Sequence, residues 1–136
     1  MAQAYTYLAL SGVLTLLLWT PYIVARIFVW GPLTFLTNYP KNFPAEQPTP
    51  PLWAQRAQRA HVNMVETLPA FIAILVSADY LIGDSAGIVI GMAAKAFFYA
   101  RVTHAIVYIL GVPGLRTPVY LVSWAAVLFI AWTTFL

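Results

Sequence analysis

The chain has 136 residues, of which 62% are hydrophobic and 8% charged, with a mean hydropathy of +0.80. A soluble domain carries about a quarter charged residues, and so little charge would leave more apolar surface in water than a monomer tolerates. Disorder needs the opposite composition, so an integral membrane protein remains. A spanning helix takes roughly 20 apolar residues, which makes about four spans the expectation. A β-barrel would show ten-residue alternating segments, whereas the apolar residues here come in long unbroken runs. Cysteine is absent, so there is no disulfide and no protein thiol nucleophile. The net charge of +3 reads as a topology signal, with no nucleic-acid partner expected.

In chain order, the first span is predicted over about residues 5–30, with Pro21 inside it as a kink. It lacks a basic leader and a small-residue cleavage site, so it reads as a retained helix. From Asn38 to Pro51 the sequence holds five of the ten prolines and predicts a loop. A second span follows over about 52–82, with Pro51 at its start. Its first half is polar and its second half apolar. Gly83-Asp84-Ser85 is a turn, and a third span covers about 86–110. Gly111-Val112-Pro113-Gly114 is another turn, before a fourth span over about 117–136. The whole reads as a single four-helix transmembrane unit, residues 1–136.

Lys41, Arg56 and Arg59 follow the first span and Arg116 lies after the third, while the turn between the second and third spans carries Asp79 and Asp84. By the distribution of Lys and Arg, the first and last connections are expected to be cytoplasmic, with both termini on the opposite side. Trp30 and Trp53 flank the long loop at a headgroup level.

Charges within spans are costly and face a bundle interior or a wet cavity. Arg59, Asn63 and Glu66 recur at i, i+4, i+7 and form one stripe, which Arg56 extends. Arg101, His104 and Tyr108 form a second stripe on the third span. Counting back from the tight turn at about 1.5 Å per residue sets Glu66 beside Arg101, Asn63 beside His104, and Arg59 beside Tyr108. A Glu66–Arg101 ion pair midway through the membrane is predicted. Such stripes also serve as interhelical hydrogen-bond glue, and that role stands first for Glu66 and Arg101. Arg59 and Asn63 suit an anionic ligand. His104 reads equally as a core histidine or a ligand contact, and His61 as a packing residue. Lys95 has no evident partner, and no metal site is expected without HExxH spacing.

The run Arg59-Ala60-His61-Val62-Asn63-Met64-Val65-Glu66-Thr67-Leu68-Pro69-Ala70-Phe71 resembles the signature RAxxNxxExxPxF of the MAPEG superfamily, membrane-associated proteins in eicosanoid and glutathione metabolism. Ala100-Arg101-Val102 with His104 and Tyr108 looks like that family's third-helix pattern. Leu115-Arg116-Thr117-Pro118-Val119-Tyr120 is similar to the start of its fourth helix. The resemblance implies a homotrimer of four-helix subunits with glutathione, as co-substrate, held between neighbours near the cytoplasmic face. Carried over by residue, Arg59, Asn63 and Glu66 match positions that bind the tripeptide or shape its site. His104 and Tyr108 match contacts from the adjoining subunit, and Arg26 matches a first-helix arginine. The chain departs from the pattern after Val119, where Tyr120 and Leu121 follow; several eicosanoid-producing members carry an arginine near there. A prostaglandin-isomerase type of activity is therefore not expected.

The implied chemistry is activation of the glutathione thiol toward a lipophilic electrophile or hydroperoxide arriving from the bilayer. Lowering a thiol pKa from about 8.5 by two units requires roughly 2.7 kcal/mol. One arginine at about 4 Å supplies around 4 kcal/mol at an effective dielectric near 20. Arg116 is the catalytic candidate, with Arg59 second. The rival expectation is a non-catalytic binding or scaffold protein on the same fold.

Overall fold

The computed structural model describes residues 1–37 and 48–136. Lys41, used above for orientation, lies outside the described residues. Those residues form α1 (Ala2–Trp30), α2 (Pro32–Thr37), α3 (Leu52–Ile82), a 3₁₀ turn (Gly83–Ala86), α4 (Gly87–Leu110) and α5 (Arg116–Phe135). The short α2 was not anticipated. Gly31, with φ 81°, ends α1, and Pro32 restarts a helix at the first position, where its missing N–H costs nothing.

Three helical stretches among the described residues are long and apolar enough to cross a membrane: Ala2–Trp30, Leu52–Leu110 and Arg116–Phe135. The chain is an all-helical integral membrane protein. Within the 59-residue middle stretch, α4 doubles back along α3, because Phe97 stacks on Phe71 at 4.1 Å between ring centroids. The outer surface is apolar, with Leu16, Phe28 and Ile88 all more than 70% exposed. Lipid tails cover such a surface without penalty.

α3 and α4 pack on each other, and both α1 and α5 pack against the pair, whereas α1 and α5 share no extensive contact. The α3 residues that face this core are Ala57, Ala60, Met64, Phe71, Leu75 and Ala78, a spacing of threes and fours that draws one seam along the helix. Small residues at several seam positions let backbones approach closely, which is how helices associate where water supplies no hydrophobic drive. Pro69 lies inside α3 and withholds one backbone donor. Two residues earlier, the Thr67 hydroxyl donates to the carbonyls of Asn63 at 3.0 Å and Met64 at 3.2 Å.

α4 ends in a left-handed cap. Gly111 has φ 72°, its N–H bonds the Tyr108 carbonyl at 3.1 Å, and the Val112 N–H bonds the Val107 carbonyl at 3.0 Å. This Schellman arrangement satisfies carbonyls the helix end would otherwise leave open. A side chain at Gly111 would also run into the guanidinium of Arg56. Gly111→Ala is therefore expected to cost about 1–2 kcal/mol, read as a lower midpoint of thermal unfolding in detergent. Gly114→Ala tests the positive φ alone, because nothing lies near a Cβ there, and should cost less.

Candidate functional site

Met64 faces the core and is fully buried. At about 100° per residue, Asn63 lies beside that seam, while Arg59 and Glu66 fall on the far side of the helix and are exposed. The stripe therefore points out of the helix bundle. It forms a cleft of about 430 Å³ lined by Gln55, Gln58, Arg59, Val62, Asn63, Glu66 and Tyr108. A second cleft, of about 520 Å³, lies at the end of the bundle and is lined by Arg56, Arg59, Arg116, Tyr108 and the Gly111–Gly114 turn among others. Gln55, Arg59 and Tyr108 wall both. Both volumes lie in the range of small-molecule sites, about 300–1,000 Å³.

Tyr108 reaches the clefts because Gly111 stops α4 one turn later, and Arg116 reaches it from the first residue of α5. The Arg116 guanidinium sits 5.2 Å from the centre of the Tyr108 ring, a cation–π contact that holds an exposed arginine over the shared wall. His104 lies behind this wall, 3% exposed, with its ring 5.5 Å from Tyr108 and 5.8 Å from Tyr120. It lines neither cleft and supports Tyr108 from within.

The predicted Glu66–Arg101 ion pair does not form. Arg101 is 1% exposed and donates from one terminal nitrogen to Asn63 Oδ1 at 2.9 Å and from Nε to Met64 Sδ at 3.2 Å. Its guanidinium also lies 5.5 Å from the Tyr120 ring. The other terminal nitrogen is buried without a partner. The reason is rotational: Glu66 is about 200° around α3 from Met64, the residue that meets Arg101, so the carboxylate faces away. Among the described residues the ion pair present joins the Met1 amino group to Asp84, at the opposite end of the bundle.

The sequence model of the MAPEG family matches residues 4–136. The chain belongs to the MAPEG family. It is thus a membrane protein of the glutathione- and eicosanoid-related class. No curated protein and no solved structure matches it.

In this MAPEG chain the signature residues Arg59, Asn63 and Glu66 share one cleft with Tyr108, and Arg116 stands in the adjoining one. Arg26 lines neither; it lies 5.0 Å from the Trp30 ring within α1, with its Nε buried and unpaired. His61 turns toward α1, where its Nδ1 is 3.1 Å from the Tyr22 hydroxyl, so its role is helix packing. Lys95 is exposed on the outer face of α4. Gln55 and Gln58 were missed as cleft residues. Gln55 sits four residues before Arg59, so extending the i, i+4 stripe by one step finds it.

Proposed function

We propose that this protein is a glutathione-dependent membrane transferase or peroxidase acting on lipophilic electrophiles, built as a homotrimer with four membrane crossings per subunit. The observation that carries the reading is the pair of adjoining clefts, in which Arg59, Asn63, Glu66 and Tyr108 meet the exposed guanidinium of Arg116. Arg59 and Asn63 supply donors for the carboxylates and amides of the tripeptide, and Glu66 an acceptor for its amino group. The cleft opens outward from the bundle, so a neighbouring copy would close it, while the buried His104 supports Tyr108 from behind the wall. The start of α3, which carries Arg56 and Arg59, and the start of α5, which carries Arg116, face the cytoplasm, the source of a soluble thiol.

Arg116 favours the thiolate over the thiol electrostatically. In transfer, the thiolate sulfur forms a bond to an electrophilic carbon as that carbon's bond to its leaving group breaks, and the leaving group takes a proton. In peroxide reduction, the thiolate sulfur attacks the distal oxygen, the O–O bond breaks, and the lipid alkoxide takes a proton to leave as the alcohol. A second glutathione then reacts with the sulfenic acid so formed, giving disulfide and water.

Purified protein titrated with glutathione near neutral pH tests this by ultraviolet absorption of the thiolate. Binding accompanied by a thiolate band is expected. Binding without it would move the reading to a non-catalytic binding or scaffold protein, and no binding would sink both.

A further inference from the structure

The larger cleft holds more positive charge than the glutathione reading uses. Its lining includes Arg56, Arg59 and Arg116 and no Asp or Glu. Three guanidinium groups around one space repel one another unless an anion lies between them. The Arg56 guanidinium lies against the Cα face of Gly111, where any larger residue would displace it. Arg56 stands outside the signature run and outside the smaller cleft.

The surroundings give the cleft a second character. Leu52, Val107, Val112 and Pro113 are part of its wall; Leu52 is 60% exposed, and Trp53, Leu110 and Leu115, each next to a lining residue in the chain, are exposed by 45%, 69% and 53%. All lie at the ends of long helices or in the turn between α4 and α5, where a bilayer places its headgroups. A basic floor rimmed by apolar side chains at that depth matches a ligand with an anionic head and hydrocarbon tails. Guanidinium forks pair bidentately with phosphate oxygens, and a guanidinium carries five donors, so Arg116 can face a thiol and a phosphate at once.

We propose that this cleft binds the phosphate diester headgroup of an anionic phospholipid, with Arg56 as its principal ligand and Arg59 and Arg116 completing the site. The site is additional to the proposed glutathione subsite.

The test is native mass spectrometry of the purified full chain after detergent exchange into mixed phosphatidylglycerol and phosphatidylcholine. The wild type is expected to retain phosphatidylglycerol at least tenfold over phosphatidylcholine. Arg56→Gln should abolish that preference while binding glutathione like the wild type in detergent without acidic lipid, which also shows that the variant is folded. Arg56→Lys, keeping the charge without the fork, should retain a weakened preference. Equal retention of both lipids by the wild type, or an undiminished preference in Arg56→Gln, overturns the proposal. Inorganic phosphate titrated into the wild type and Arg56→Gln by calorimetry separates the sources. Arg56-dependent phosphate binding without lipid preference would overturn the lipid source and leave a soluble phosphate as ligand. Loss of glutathione binding by the wild type would sink the functional reading above and leave the lipid result standing.

Discussion

Arg116→Ala is expected to raise the pH midpoint of the glutathione thiolate band by about two units while the tripeptide stays bound through Arg59 and Asn63. Two units correspond to about 2.7 kcal/mol, within what one guanidinium near the sulfur supplies. At pH 7 the bound thiolate fraction then falls roughly 25-fold, from most of the sites to a few per cent. The turnover rate should fall less, about threefold once the loss of thiolate is offset by the greater nucleophilicity of what remains. The thiolate that remains is more basic and a stronger nucleophile, with a Brønsted slope near 0.4–0.5 for thiolate attack on disulfides. Spectrum and rate therefore report different things. A rate loss of about 100-fold or more would assign Arg116 a second task, holding the departing group. An unmoved midpoint would remove it from the site and turn attention to Arg59. Arg116→Lys, which retains charge but loses the planar stack on Tyr108, should fall between the two.

Asn63→Leu is expected to cost about 2–3 kcal/mol of stability without any ligand present, because a charged hydrogen bond is lost and its donor stays buried. Arg101 is 1% exposed, one of its terminal nitrogens is already unpaired, and Asn63 Oδ1 is its side-chain oxygen acceptor. Leucine at position 63 would leave a buried cation with the Met64 sulfur and the Tyr120 ring. Arg101→Leu should be milder, since removing the cation removes the demand, and the half-buried Asn63 keeps access to other partners. The double variant is thus expected to be more stable than Asn63→Leu alone, measured by denaturant-driven unfolding in micelles. Additive losses would show that the two side chains are energetically independent. Glu66→Gln combined with Arg101→Leu should show no coupling above about 0.5 kcal/mol. The Asn63 variant would also lose glutathione binding, so stability must be read without it.

Much of this was legible before the fold was seen. Long apolar runs gave the class, and glycine and proline marked where helices stop, because a membrane tolerates few other ways of ending one. Depth counting from the tight turn set Arg59 level with Tyr108, and the two share both clefts. The counting failed at Arg101 because depth says nothing about rotation. Arg59, Asn63 and Glu66 span an arc of about 60°, and which edge of that arc borders the core is decided by Met64, an apolar residue with no polar signal to count. The Tyr22–His61 contact was equally hidden. It joins residues 39 apart on helices separated by a long connection, and no short turn sets their relative height.

Tyr108 and Arg59 stand as a common partition between two chambers, and this binds the occupants of those chambers into one thermodynamic system. Whatever factor one ligand imposes on the affinity of the other must be returned in equal measure. Two anions on either side of the same guanidinium compete for its field, so their mutual effect is unfavourable. A bilayer rich in acidic lipid would then hold its thiol co-substrate more loosely than a neutral one. With both proposed sites occupied, the membrane's own composition thereby becomes an effector of the protein embedded in it.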